Sequence, residues 1–119
     1  MSENKTWSEA RSHCTDEGGH LVVIEKRKEQ VTLREEARNK LTTSGSAWIG
    51  LNDNQTENIF AWEDTNLTLN DTGYTNWQFQ GKKRNCVAMD LKDDDNGYWQ
   101  ARKCSQKRKF ICEKGKTVD

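Results

Sequence analysis

The segment GKKRNCVAMDLKDDDNGYWQARKC, residues 81–104, contains the alternation and turn signals that decide the fold of this chain. Apolar side chains alternate with smaller or polar ones through residues 86–91, which predicts a strand whose valine, methionine and leucine share one face. The dipeptide NG at 96–97 is typical of a tight turn, and YW at 98–99 begins a second strand-forming run. This segment is therefore predicted to form an antiparallel hairpin.

Three consecutive aspartates, residues 93–95, precede the predicted turn. We interpret them as the solvated tip of the hairpin, because a run of charges most often lies on a solvent-exposed surface. The alternative is a metal-binding loop in which Asp94 and Asn96 act as ligands. Lys92 occupies the first ligand position of such a loop, and its positive charge disfavours that alternative.

Length and composition predict a single domain over residues 1–119. Hydrophobic residues make up 32% of the chain, charged residues another 32%, and the mean hydropathy is −1.10, so the core should be thin. The formal net charge is zero, which argues against a general attraction to nucleic acid or to an anionic membrane. The longest apolar run, residues 21–24, is too short for membrane insertion.

The four cysteines are predicted to pair as disulfides, since no two of them form the C-x-x-C pattern of zinc knuckles or thioredoxin-like sites. Four cysteines allow three connectivities, and the spacing alone does not choose among them. Sequons of the form N-x-S/T indicate a glycoprotein from an oxidising compartment. We therefore expect an extracellular protein, either secreted or part of a receptor ectodomain. The sequon asparagines are Asn4, Asn54, Asn66 and Asn70.

Two helices are predicted in the first third of the chain. The sequence TWSE at residues 6–9 matches a capping box, which predicts a helix that ends at the glycines 18–19. A second amphipathic helix is predicted over residues 25–41, with an apolar stripe formed by Leu33, Ala37 and Leu41. Short buried strands or extended segments are predicted at 21–24, 47–51 and 110–112.

The polar segment from Asn52 to Gln80 shows little periodicity, although aromatic residues interrupt it. A connection of this length inside a compact domain is uncommon unless it is functional. We therefore expect an irregular loop with a functional role.

The order of tryptophan, glycine and cysteine residues resembles that of a C-type lectin-like domain. The match extends from about residue 6 to residue 113. Any one of these short motifs would be weak alone, whereas so many in the same order are highly specific. The motifs are W-x-x-A-x-x-x-C at 7–14, GHL at 19–21, WIGL at 48–51, F-x-W-x-D at 60–64, Trp77, NC at 85–86, W-x-x-x-x-C at 99–104 and FICE at 110–113.

The resemblance implies an α+β fold with two helices, two small antiparallel sheets and a long irregular loop that carries the ligand site. It also implies one disulfide between Cys14 and Cys112 and another between Cys86 and Cys104. The implied function is non-catalytic recognition. The residue content agrees with a non-catalytic function. The chain has two histidines and no nucleophile motif, which offers no arrangement for acid–base or nucleophilic catalysis.

One departure from the family concerns the start of the domain. Members usually have a strand before the first helix that pairs with the C-terminal strand, whereas six residues precede Trp7. The strand at residues 110–113 is therefore expected to have an open edge. An uncovered edge can pair with another chain, so we expect a homodimer or strand exchange there.

The other departure concerns calcium. Sugar-binding members hold the ion with an E-P-N or Q-P-D triplet, an acidic residue two positions before the third cysteine, and an Asn-Asp pair after a tryptophan. The matching positions here are GKK at 81–83, Arg84, and QA at 100–101. Calcium takes about six to eight oxygen ligands, and cationic side chains repel it. Calcium at this principal site is therefore not expected, and no cofactor is predicted.

Basic residues flank the two cysteines of the implied 86–104 disulfide, which would bring them together. Arginine binds sulfate, phosphate or carboxylate through a planar fork, and lysine adds positive charge. We expect an anionic glycan, sulfated or sialylated, or a microbial surface polymer as the ligand. The alternatives are solubilising charge neutralised by the nearby aspartates, or a lectin-like receptor or toxin-like domain with a protein ligand. The predicted ligand-binding residues are Gln80, Lys82, Lys83, Arg84, Asn85, Gln100, Arg102 and Lys103.

Tryptophan and histidine are two further residue types that could bind a ligand. Trp62, Trp77 and Trp99 could stack on sugar rings, but the family uses these positions for packing, so we predict that they are core residues. His13 and His20 are the only histidines, and a zinc ion bound through either is a lesser alternative because few good ligands lie nearby in the sequence.

Overall fold

A computed structural model describes residues 4–41, 45–54, 56–57, 59–63, 65–79, 84–91 and 97–114 of the chain. The acidic run and the first residue of the predicted turn, at 92–96, lie outside these ranges. The helices are α1 (Trp7–Asp16), α2 (Arg27–Leu41) and α3 (Leu69–Thr72). The strands are β1 (His20–Leu21), β2 (Ser46–Asn52), β3 (Ala61–Trp62), β4 (Trp77–Phe79), β5 (Cys86–Asp90), β6 (Trp99–Arg102), β7 (Lys109–Phe110) and β8 (Cys112–Glu113).

Two sheets organise the domain. The smaller sheet pairs β1 with β8 in antiparallel fashion. The larger sheet has the order β3-β2-β5-β6-β4, with β7 also paired to β2. Its central pairings are antiparallel, but β7 runs parallel to β2 and β4 runs parallel to β6. The larger sheet is thus mixed, because long connections let β4 and β7 lie beside strands that are not their neighbours in the chain.

The β5–β6 hairpin separates two apolar clusters, as its alternating pattern predicts. Val87 and Met89 pack in the cluster that contains Trp99, whereas Ala88 packs in the cluster that contains Trp7. Because successive side chains of a strand point to opposite faces, one short strand contributes to both clusters. The predicted facing of the residues in this strand is confirmed.

Helix α1 begins with the predicted capping box. The Thr6 hydroxyl accepts a hydrogen bond from the Glu9 backbone N–H (3.3 Å), and the Glu9 carboxylate accepts one from the Thr6 N–H (3.1 Å). These bonds satisfy backbone donors that the first turn would otherwise leave unpaired. On the buried face, the Trp7 indole N–H donates to the Ile49 carbonyl (2.9 Å) and joins α1 to β2.

Helix α2 is attached to the core through Gln30, whose burial has no signal in the surrounding charged sequence. Gln30 is 1% exposed. Its side-chain oxygen accepts a hydrogen bond from the Trp99 indole N–H (2.8 Å), and its amide nitrogen donates to the Gly97 carbonyl (2.9 Å). From the predicted apolar stripe, Leu33 packs against the core. The side chains of residues 37–41 lie outside the described part.

Replacing Gln30 with leucine should lower the free energy of unfolding by about 1–3 kcal/mol, because the buried indole N–H of Trp99 would lose its acceptor. Urea unfolding followed by tryptophan fluorescence measures this loss. Thr32→Ala, an exposed change on the same helix, is the control and should stay within about 0.5 kcal/mol of the parent. Equal effects of the two changes would contradict the anchoring role.

The segment between β2 and β5 is more regular than predicted, since it contains β3, α3 and β4. Helix α3 is a single turn with a capping box between Thr68 and Asp71, and Gly73 ends it with a φ of 80°. Elements of two to four residues are too short to produce a hydrophobic period, so periodicity could not reveal them. The capping pattern at 68–71, followed by a glycine, is the sequence signal that could have predicted α3.

The C-terminal segment is paired along more of its length than expected. Strand β7 pairs with β2, and β8 pairs with β1. Lys5 and Arg108 exchange both of their backbone hydrogen bonds (2.8 and 2.9 Å), so the chain just before α1 does reach this segment. The Lys5–Arg108 pair lies outside residues 110–113, so the open edge predicted there and the homodimer through it stay predictions.

Both disulfides implied by the resemblance are present. Cys14 and Cys112 lie 98 positions apart in the sequence, and their bond joins α1 to β8. Cys86 and Cys104 lie 18 positions apart, and their bond closes the end of the β5–β6 hairpin.

Removing the Cys14–Cys112 bond should destabilise the domain more than removing the Cys86–Cys104 bond. The chain-entropy model gives about 4.7 kcal/mol for a loop of about 100 residues and about 3 kcal/mol for one of about 15–20. Denaturant unfolding of C14A/C112A and of C86A/C104A compares the two. A larger loss for the shorter loop would mean that native contacts, rather than loop entropy, dominate.

Candidate functional site

One end of the β5–β6 hairpin collects four of the predicted ligand residues. Strand β5 begins at Cys86, which lies opposite Arg102 in the register. The Cys86–Cys104 bond holds the two Cα atoms 5.2 Å apart just beyond this pair. The residues that precede β5 and end or follow β6 therefore border the same surface. They are Arg84, Asn85, Arg102 and Lys103.

The other predicted ligand residues are placed differently. Gln80, Lys82 and Lys83 lie outside the described residues. Gln100 is on the same face of β6 as Arg102, but it is only 6% exposed. Its side chain lies beneath the surface, where it can support a binding residue but has little area to offer a ligand.

A chain of side-chain hydrogen bonds holds Arg102 in position. The Arg102 guanidinium donates to Gln100 Oε1 (2.8 Å), and Gln100 Nε2 donates to Asp90 Oδ2 (3.4 Å). Asp90 is 3% exposed, so the carboxylate that accepts the Gln100 hydrogen bond is buried in the protein. Each bond in the chain orients the next group, and the guanidinium is fixed as a result.

Arg108 adds a cation that the sequence pattern did not assign to this surface. Its guanidinium donates to Ser46 Oγ (2.6 Å) and lies 5.4 Å from the centre of the Trp48 ring. Ser46 lies opposite Asp90 in the β2–β5 register, and Asp90 is linked through Gln100 to Arg102, so Arg108 lies on the same side of the sheet as Arg102. Burial lowers the pKa of Arg108, and the positive charge of Arg102 lowers it further. We define the basic surface as Arg84, Arg102, Lys103 and Arg108.

Three residues that the resemblance matches to the family's calcium positions lie in the described part of the chain. Ala101 is fully buried in the apolar cluster around Trp99. The Gln100 amide is engaged by Arg102, and Arg84 is the residue that the resemblance matches to the acidic position. In the part of the chain that the structure describes, no group of three or more histidine, cysteine, aspartate or glutamate side chains could hold a metal ion.

Each histidine has a carboxylate neighbour. His13 Nε2 lies 3.2 Å from Glu17 Oε2, and His20 Nδ1 lies 4.0 Å from Glu113 Oε1. A structural zinc site takes about four such ligands. Zinc binding through either histidine stays a prediction.

The tryptophans of the large cluster serve packing. Trp62 and Trp99 are fully buried, with their rings edge to face at 5.5 Å. Trp77 is partly buried and packs edge to face on Trp99 at 5.7 Å. The prediction of core positions is confirmed for Trp62 and Trp99, whereas Trp77 packs against the core and stays partly exposed.

The fold and the exposed hairpin end define a disulfide-braced binding module. The family model "Lectin C-type domain" matches residues 3–114, and the chain belongs to this family. It is a non-enzymatic module, and the expected α+β fold is confirmed by its likeness to solved C-type lectins. None of the helices in the described residues is long and apolar enough to cross a membrane.

Several curated proteins are similar in sequence. Tetranectin from Mus musculus is 32% identical over 95% of this chain and 56% of its own length. The alpha-N-acetylgalactosamine-specific lectin from Patiria pectinifera is 32% identical over 95% of this chain and 70% of its own length. Clotting factor C from Tachypleus tridentatus is 34% identical over 93% of this chain. The chain spans 11% of the length of clotting factor C and little more than half of tetranectin.

Solved structures share the fold. The C-type lectin CEL-I from Cucumaria echinata superposes with a TM-score of 0.82 at 22% identity, covering 94% of this chain and 84% of that one. The cow carbohydrate-recognition domain of CD23, solved in the presence of a GlcNAc2Man3 oligosaccharide, has a TM-score of 0.72 at 32% identity, covering 93% of this chain and 79% of that one.

Proposed function

We propose that this domain binds an anionic glycan through the basic surface, without a calcium ion at the family's principal site. Membership of the lectin family favours a carbohydrate ligand. One similar protein is named as a lectin specific for alpha-N-acetylgalactosamine, and the similar CD23 domain was solved with an oligosaccharide. The charge of the ligand and the absence of the metal are inferred from the residues of this chain.

The proposal rests on the described residues that the resemblance matches to the family's calcium positions. Calcium takes about six to eight oxygen ligands. Ala101 supplies a buried methyl group, the Gln100 amide is held by Arg102 and Asp90, and Arg84 brings a positive charge. These residues do not fit a calcium ion. A sugar would therefore have to be recognised by direct contacts with the protein.

An anion suits the basic surface for two reasons. Arg102 is already oriented by its bond to Gln100, so little side-chain freedom would be lost when its planar guanidinium pairs with a sulfate or carboxylate. Arg102 and Arg108 also repel each other, and a bound anion would relieve that repulsion. Since the net charge of the chain is zero, the attraction would be local to this surface.

Reversing charges on the basic surface should weaken binding to heparin, used as a sulfated probe. Arg84→Glu with Lys103→Glu should lower the affinity at least about tenfold, because charged hydrogen bonds contribute about 1.5–3 kcal/mol each. Surface plasmon resonance at two salt concentrations, with chelator present, measures the affinity and its salt dependence. Lys28→Glu with Lys114→Glu, two exposed lysines elsewhere, is the charge-matched control. Equal losses in both double variants would mean that the basic residues only add solubilising charge.

Calcium should be neither required for binding nor stabilising. A ligand that binds only the folded state adds about 2.7 kcal/mol of stability at a concentration of 100 times its Kd. Thermal unfolding with chelator and with excess calcium should therefore give the same Tm. A calcium-dependent rise in Tm, together with heparin binding that a chelator abolishes, would overturn the metal-free part of the proposal.

A protein ligand is the second candidate. Ile59 and Leu67, in the segment between β2 and β5, are 51% and 40% exposed. Exposed apolar side chains suit a protein interface better than a polar polysaccharide. A glycan array that gives no signal with or without chelator would favour this candidate.

We also propose an extracellular location with N-linked glycans. The two disulfides indicate an oxidising compartment, and the asparagines of all four sequons are exposed. The homodimer through residues 110–113 remains part of this proposal. Light scattering that finds only monomer at high micromolar concentration would remove it.

A further inference from the structure

A cavity between α2 and the start of β6 has no role in the function proposed above. Its volume is about 260 Å³. Three parts of the chain meet in it: α2, the segment before β4, and the residue before β6. We call it the tyrosine pocket, and its lining residues are Arg27, Gln30, Val31, Tyr74, Asn76 and Tyr98.

Buried hydrogen bonds fix the walls of the tyrosine pocket. The Gly97 carbonyl accepts hydrogen bonds from the side chains of Gln30 (2.9 Å) and Asn76 (3.1 Å). The Trp99 backbone N–H donates to the Asn76 carbonyl (2.8 Å), and the Tyr74 ring packs edge to face on Trp99 at 5.7 Å. A pocket whose walls are already ordered loses little conformational entropy when a ligand binds.

The exposed groups of the pocket are aromatic, apolar and cationic. Tyr74 and Tyr98 are partly exposed, and Val31 is 49% exposed. Arg27 is exposed, and among the described residues no carboxylate lies within ion-pair distance of it. Burial raises the pKa of Tyr74, so its phenol keeps its proton at neutral pH and can donate a hydrogen bond.

A neighbouring cavity of about 290 Å³ between α2 and residues 22–24 is less suited to a ligand. The Glu29 carboxylate accepts a hydrogen bond from the Glu25 backbone N–H (2.8 Å), and the Glu113 carboxylate accepts one from the Val23 N–H (3.0 Å). These polar groups already support the fold. The tyrosine pocket instead has an exposed cation, Arg27, and a partly buried phenol, Tyr74.

The tyrosine pocket and the basic surface lie at opposite ends of the same hairpin. The Tyr98 carbonyl accepts from the Asp90 backbone N–H (2.9 Å), whereas Arg102 lies opposite Cys86. The extended chain from Tyr98 to Lys103 spans about 17 Å, at about 3.4 Å per residue. A single sugar residue is too small to contact both the tyrosine pocket and the basic surface.

We propose that the tyrosine pocket binds one sugar residue that carries a carboxylate, of the uronic or sialic acid type. The apolar face of the sugar ring would lie against the tyrosine rings and Val31, as apolar and aromatic walls favour in small-ligand sites. The carboxylate would pair with the planar fork of Arg27, with the Tyr74 hydroxyl as a further donor. The site goes beyond the basic surface and does not depend on it.

An NMR titration of the ¹⁵N-labelled protein tests the pocket, with glucuronate as the probe and glucose as its neutral match. Glucuronate should shift the backbone amides of Val31, Tyr74 and Tyr98, and glucose should shift them much less. Arg27→Gln should weaken glucuronate binding at least about tenfold, because it removes the charge-assisted pair. Lys28→Gln, the next residue on α2, should leave the titration unchanged.

The same titration keeps the two proposals separate. Arg84→Glu with Lys103→Glu should leave glucuronate binding intact whether or not heparin binding is lost. Because Arg27 is exposed, Arg27→Gln should keep the parent spectrum away from the pocket, which checks its fold. Equal shifts with glucose and glucuronate, an unchanged affinity in Arg27→Gln, or shifts confined to the basic surface would overturn the proposal.

Discussion

The hydrogen bond between the Trp99 indole and Gln30 joins the parts of this domain that local structure cannot hold together. The Trp99 ring also packs edge to face against Trp62, Tyr74 and Trp77, at 5.5–5.7 Å. Helix α2, the β5–β6 hairpin and the long polar segment therefore meet at one side chain. With only 32% hydrophobic residues, the chain relies on large aromatic residues, and a buried indole N–H needs a partner such as Gln30.

Strand β6 links the buried Trp99 to the face that carries Arg102. Its four residues alternate, so that Trp99 and Ala101 pack in the large apolar cluster while Gln100 and Arg102 lie on the other face. Ala101, which the resemblance matches to a calcium-binding position of sugar-binding relatives, is a core residue of this chain. The face that carries Arg102 is backed by the buried Asp90 carboxylate through Gln100. Under the proposed function, the residue that replaces a calcium ligand and the residue that binds the anion would be adjacent in the chain.

Patterns confined to a few residues predicted individual elements correctly, the resemblance supplied the fold class, and contacts between distant residues were the ones missed. The alternation of β5 and the capping box at Thr6 depend on neighbours in the chain, and both are present. Gln30 contacts Gly97 and Trp99 from 67 and 69 positions away, so nothing in its charged surroundings signals its burial. Arg108 is another such case, because its hydrogen bond to Ser46, opposite Asp90, depends on the pairing of distant strands. The disulfide pairing, also a long-range property, came from the resemblance to a family and not from spacing.

The rigidity of the hairpin sets how a long ligand could use both proposed sites. Because the β5–β6 ladder runs without interruption from Cys86↔Arg102 to Met89↔Trp99, the distance between its ends is fixed. A polysaccharide with acidic groups spaced to match would bind its second group at a high effective concentration once the first was held. One with a different spacing would gain nothing from the second site. Discrimination among acidic polymers would then depend on the repeat length of the ligand, with no conformational change needed in the protein.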